Sequence, residues 1–167
     1  VNLKMYRVDT PRFLDMVALL AIAVVITIAS ITPLASGLQV ITGDADFYFF
    51  ANKHEIVRTA VVNFHKFPFW SHWSGGGYPV LGDPHFPSLN PLIIFTLFFG
   101  SIMGLKIIGY LMLLAGGIGT FLFTRNTLGY TIWGSLYCGL MFGVSLYGPL
   151  RIADGNVTEA YALLLPS

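Results

Sequence analysis

The chain has 167 residues, of which 55% are hydrophobic, 15% aromatic and only 10% charged, with a formal net charge of +1. A soluble domain carries about a quarter charged residues, so this composition, with a mean hydropathy of +0.72, suits a bilayer better than water. The absence of basic runs excludes a nucleic-acid partner, and a lone Cys138 excludes a disulfide framework or a cysteine-based metal site.

Residues 1–12 are polar and carry Lys4, Arg7 and Arg12. "DTPRF" reads as a helix start, with Thr10 accepting from early backbone N–H groups and Pro11 at the first helical position. No charge occurs from Met16 to Gly43. A hydrocarbon core about 30 Å thick needs about 20 helical residues, which predicts a first transmembrane helix over 13–33. It is too long for a signal-peptide core and is expected to be a retained anchor.

Residues 44–90 change character: they hold Asp44, Asp46, Lys53, Glu55, Arg58, Lys66, Asp83 and all four histidines among many aromatics. Phe50, His54, Val57, Val61 and Phe64 recur at helical spacing, whereas Lys53, Glu55, Arg58 and Asn63 are expected mostly on other faces. That pattern predicts an amphipathic helix lying in the membrane interface. The prolines and triple glycine of "HKFPFWSHWSGGGYPVLGDPHFPSLNP" then rule out regular helix and favour a shaped surface.

From Pro91 to Phe123 the only charge is Lys106. The expectation is a short helix over 91–103 and a second span over 105–124; Lys106 invites a functional reading or simply marks the break between the two. "TRNTLG" is a polar turn, 130–149 a third span, and 157–167 the start of a fourth. The fold expected is all-α and integral to the membrane: a single domain over 1–167, a polytopic helical bundle with a long structured external loop between the first and second spans. Val1 at one end and "EAYALLLPS" at the other suggest an N-terminal piece of a longer polytopic protein.

Lys4, Arg7 and Arg12 flank the first span, and Arg125 lies two crossings later. Both groups fit the cytoplasm, because short segments near helix ends carry the positive-inside signal. The chain is thus expected in the cell membrane, multi-pass, with its N-terminus cytoplasmic and residues 44–90 external.

Two acids end the first apolar run in "ITGDADFYFF". Asp44 and Asp46 on an extended segment suit a divalent cation such as magnesium or manganese, or a base and its orienting partner. Equally, loops that begin at a membrane surface are often acidic without further purpose. In "GGGYPVLGDPHFPSLNP", Asp83 and His85 flank Pro84 in a loop able to bring backbone close to a ligand. An ordered crossover is the plainer explanation. Trp70, Trp73, Tyr78 and Phe86 can stack on sugar rings or simply anchor at the interface. His54, His65 and His72 lack metal-ligand spacing, and Gly100 with Gly104, Gly139 with Gly143, and "GGIG" at 116–119 read as faces for close helix packing.

Taken in order, these features are more specific than any one of them. A basic N-terminus, one span, Asp44-Ala45-Asp46 just outside, an amphipathic helix, "FPFWSHWSGGGYPVLGDP" and "LNP" before further spans resemble the N-terminal region of a GT-C type glycosyltransferase. Within that superfamily the chain is most similar to the YfhO-like branch, and "ADGNVTEAYALLLP" is similar to the loop and helix start after its third span. The resemblance implies transfer from a polyprenyl-phosphate-linked sugar donor. Asp46, with Asp44 beside it, would deprotonate the acceptor or hold a divalent cation. Asp83, His85, Arg58, Trp70, Trp73 and Tyr78 would contact substrate, with Lys66 and Arg151 as further phosphate candidates. Partial desolvation at the interface raises a carboxylate's pKa, which suits a base. Partners expected are the bilayer, the lipid-linked donor and other membrane subunits. The reading from another class is a non-catalytic membrane subunit whose external loop docks partners.

Overall fold

The computed structural model describes residues 12–35, 45–73, 75–83 and 85–145, with the backbone alone at 32, 33, 45 and 46. The described chain is mostly helical. Its helices are α1 (Arg12–Ala35), α2 (Ala45–Arg58), α3 (Ile93–Phe99), α4 (Ser101–Asn126) and α5 (Ile132–Val144). Two short strands, β1 (Trp70–Ser71) and β2 (Tyr78–Pro79), pair antiparallel. Two of the helices, α1 and α4, are long and apolar enough to cross a bilayer. The expected start signal at Thr10 and Pro11, the end of the third span beyond Ser145, the fourth helix at 157–167, and Arg151 lie outside the described residues.

The chain divides into two compact units, one holding residues 12–31 and 110–145, the other residues 32–109. In the first unit, α1 turns Ala18, Ile22, Ile26 and Ser30 inward at intervals of four, one stripe of a helix. Phe13, Met16, Leu20, Ile28 and Ile31 on its remaining surface are more than half exposed. The buried stripe meets glycines. A Cβ on Gly117 would lie 2.8 Å from Ile26 Cδ1, and one on Gly139 would lie 2.8 Å from Ile22 Cδ1 and 2.9 Å from the Gly117 carbonyl. Glycine therefore lets α4 and α5 approach backbone to backbone while isoleucine methyls fill the gap, the small-residue packing familiar from apolar helices.

Polar contacts fix the direction of that packing. Arg125 Nε donates to Asp15 Oδ1 at 3.1 Å, and Arg125 Nη1 donates to the Tyr130 carbonyl at 2.9 Å. Further along, the Thr27 and Tyr110 hydroxyls lie 2.8 Å apart. The start of α1 thus sits at the end of α4, so within this unit the two run antiparallel. Thr131 caps α5, its hydroxyl accepting from the Gly134 N–H at 3.3 Å.

In the second unit α2 ends at Arg58 and passes into a π-helical turn, Thr59–Asn63. The ribbon follows, its tip made by Gly75, Gly76 and Gly77, all at positive φ. Single 3-10 turns at Val80–Gly82 and Pro87–Leu89 lead on to α3. There Asn90 Oδ1 accepts from the Leu92 N–H at 3.0 Å, which starts the helix.

Two expectations need correction here. The break between the short helix and the following long one falls at Gly100, whose φ of 86° suits glycine and stops α3. Lys106 does not mark it; that residue lies within α4 and is buried. The interfacial helix is also shorter than its periodicity suggested, because Phe64, counted on its apolar stripe, is exposed beyond the π-helical turn.

Filling the Gly139 contact tests the packing. Gly139→Val is expected to destabilise the first unit by about 1–3 kcal/mol, the usual cost of overpacking. Adding Ile22→Ala should recover part of that loss, read by denaturant unfolding in detergent. Equal losses in the single and double variants would contradict the contact.

Candidate functional site

The site is built on the inner face of α2. Phe47, Phe50, Ala51, Lys53, His54, Ile56 and Val57 are all buried. Lys53 was expected on an outer face, and that is corrected: its side chain is 8% exposed and forms an ion pair with Asp83, itself 17% exposed. The ammonium also lies over the Phe49 ring, 4.3 Å from its centre, a contact that a desolvated cation favours.

Asp83 reaches two ways. Oδ2 accepts from Lys53 Nζ, while Oδ1 accepts from the His85 backbone N–H at 2.9 Å and lies 3.6 Å from His85 Nδ1. Burial pushes its pKa up, but the Lys53 and His85 hydrogen bonds and the charges of both residues outweigh that and hold it below the ordinary carboxylate value. Tyr78 is pushed the other way, first by burial and then by the negative charge of Asp83. The His85 ring, half exposed, packs 6.0 Å from Phe50. Asp83, His85 and Tyr78 therefore gather with Lys53, a residue that sequence reasoning had not assigned to the site.

A second contact lies beneath. His54 Nδ1 is 2.8 Å from Thr96 Oγ1, and both residues are buried. Thr96 in turn fits against Gly104, where a Cβ would come within 2.7 Å of Oγ1. This joins α2, α3 and the first turn of α4 within the unit. Burial lowers the His54 pKa from 6.5 to about 4, so the ring is neutral near pH 7.

The other candidates fall elsewhere. Arg58 Nη1 donates to Glu55 at 3.1 Å, and its buried Nε has no hydrogen-bond partner among the described residues. Trp70 and Trp73 line a separate hollow with Phe64, Phe67 and Phe69. Asp46 stands in the first turn of α2, at a register position that Lys53 repeats seven residues later; its side chain, and Asp44 altogether, lie outside the described residues. No group of three His, Cys, Asp or Glu that could hold a metal ion occurs among the described residues. Asp83 in particular is committed to Lys53.

No family model, curated protein or solved structure matches the chain. The functional reading therefore rests on the chain's own residues and on the sequence resemblance.

His54 gives this unit a specific acid response. Its proton affinity is lower folded than unfolded, so the unfolded chain takes up the proton first as pH falls. Stability is therefore unaffected by His54 above about pH 6.5, is lost between 6.5 and 4, and levels off below. The loss should reach up to about 3 kcal/mol, and His54→Gln should flatten that slope in thermal unfolding scans. An unchanged slope in the variant would contradict the buried neutral ring.

Proposed function

We propose that this chain belongs to a membrane glycosyltransferase of the GT-C type, which moves a sugar from a polyprenyl-phosphate-linked donor to an acceptor at the external face. One observation carries the reading. Asp46 lies in the first turn of a helix that follows the first apolar segment closely, and that helix is docked through Lys53 onto Asp83, beside His85 and Tyr78. A carboxylate on a fixed helix start, with polar side chains gathered two turns along, is what a base at a lipid–water boundary requires.

In this reading the acceptor hydroxyl gives its proton to Asp46 as its oxygen attacks the anomeric carbon of the donor sugar. The new carbon–oxygen bond forms while the bond from that carbon to the phosphate oxygen breaks, and the polyprenyl phosphate departs. Asp44 stands one residue from the base on its N-terminal side. The buried Arg58 Nε, without a partner among the described residues, is a donor available to a phosphate. Arg58 closes α2 about 18 Å along the helix from Asp46, so it would meet a more distant anionic group. A divalent cation at Asp44 and Asp46 would add charge at the reacting phosphate.

The multi-pass placement, with residues 44–90 external and the N-terminus cytoplasmic, belongs to the same proposal. The Asp15–Arg125 contact supports it, because it brings the start of α1 and the turn after α4 to one end of their unit, where Arg12 and Arg125 both lie. The exposed apolar side of α1 supports a lipid-facing helix.

Asp46→Asn in the full-length protein, assayed in membranes with a lipid-linked sugar donor, is the test. Removing a general base costs about 10²–10⁴-fold in rate. Loss of that order with normal membrane insertion is expected. Transfer at the wild-type rate would overturn the catalytic assignment and favour a non-catalytic docking subunit.

A further inference from the structure

Beyond the π-helical turn Thr59–Asn63 the backbone bends sharply, because His65 adopts φ 52°, a conformation uncommon outside glycine. The Lys66 N–H reaches back to the Ala60 carbonyl at 3.0 Å. The bend gathers Phe64, Phe67, Phe69, Trp70 and Trp73 around a hollow of about 460 Å³. These five rings remain between 42% and 64% exposed. Contiguous apolar surface of this kind marks a place that something covers.

The rings are held rather than loose. Phe67 and Phe69 lean on each other, their centres 4.8 Å apart. Trp70 pairs with Pro79 in the ribbon, and its indole lies so close to Gly77 that any Cβ there would collide with it. Rings fixed in advance lose little freedom when they are covered.

The charges around them narrow the choice of cover. No Asp or Glu occurs from Ile56 to Gly82, a stretch that holds Arg58, His65, Lys66 and His72. His65, Lys66 and His72 are all exposed. Glu55, which shares a smaller hollow with Trp73, is engaged by Arg58. The described lining of the larger hollow offers a sugar's hydroxyls no carboxylate, amide or hydroxyl side chain. Lysine is depleted where proteins meet proteins. A phospholipid surface suits both features: aromatic rings settle at the membrane boundary, and a lysine stem lies among them with its ammonium raised to the headgroups. The same unit is also uncharged from Pro91 to Leu105, with Ile94, Phe98 and Phe99 exposed on α3. That apolar stretch runs directly into α4, which is long enough to cross a bilayer.

We propose that the turn over residues 64–73 docks on the phospholipid surface, with its five rings about 5–10 Å into the headgroup and acyl boundary and Lys66 reaching the headgroups. The inference goes beyond the transferase reading. It assigns these rings to the bulk lipid instead of to a substrate, and it holds for a docking subunit as well as for an enzyme.

The test uses the full-length protein in vesicles of phosphatidylcholine and phosphatidylglycerol, without any polyprenyl lipid. The emission lost in the Trp70→Phe/Trp73→Phe double variant isolates the two indoles. Lipids brominated near the carbonyl end of their chains should quench that emission more than lipids brominated near the methyl end. Aqueous acrylamide should quench it less than it quenches free tryptophan. Lys66→Glu should weaken the lipid quenching and strengthen that by acrylamide. Emission that remains in the double variant, which includes Trp133, reports on the bilayer placement of the rest of the chain. Its quenching by brominated lipid while the two indoles escape would sink the docking turn and leave the membrane placement standing. Indoles shielded from both quenchers would point to a protein cover, a second copy or another subunit, and would equally overturn the proposal. So would a Lys66→Glu variant that behaves as wild type does. Circular dichroism matching wild type identifies folded variants; if the double variant fails to fold, Trp70→Phe and Trp73→Phe are subtracted singly, with the same order of quenching expected.

Discussion

The Lys53–Asp83 ion pair is the contact on which the second unit depends. Taking an ammonium and a carboxylate out of water costs several kcal/mol per ion, repaid only when the remaining groups are satisfied. Here they are. Asp83 draws a second hydrogen bond from the His85 N–H in its own turn, and Lys53 rests against the Phe49 ring. Neither ion can leave without stranding the other, so α2 is tied to the loop that carries His85 and Tyr78. The height and rotation of the α2 start, where Asp46 stands, follow from that tie.

The other unit is held differently. Its buried stripe is alanine, isoleucine and serine against glycine, with Asp15 and Arg125 paired toward one end. Close packing gives such a unit rigidity without buried charge along the helices. The second unit uses polar contacts where shape must be irregular: His54 to Thr96, Lys53 to Asp83, and Asn90 at the start of α3. That division suits a protein whose apolar helices provide support and whose loop provides chemistry.

Much of the helical outline was legible because hydrophobic period and breakers act locally. The uncharged run from Met16 is written in neighbouring residues, whereas Gly100, which reads equally well as a packing face with Gly104, does not announce the break it makes. Lys53 is less legible. Positions 53, 54 and 57 share a stripe with Phe50, and an ammonium on such a stripe is buried only when a counter-ion meets it there. That counter-ion is Asp83, thirty residues away. The Asp15–Arg125 contact escaped notice for the same reason, since its partners are 110 residues apart. The hollow beside Trp73 depends on His65 in a left-handed conformation and on a π-helical turn, neither of which has a sequence signature of its own.

The most direct measurement is amide hydrogen exchange over 45–58 and 70–90 in wild type, Lys53→Met, Asp83→Asn and the double variant. If the ion pair ties α2 to the loop, each single change should speed exchange in both segments. The double change should then be no worse than either single one, because the second charge is no longer stranded. Exchange that rises only around the substituted residue, or losses that add in the double variant, would contradict the account.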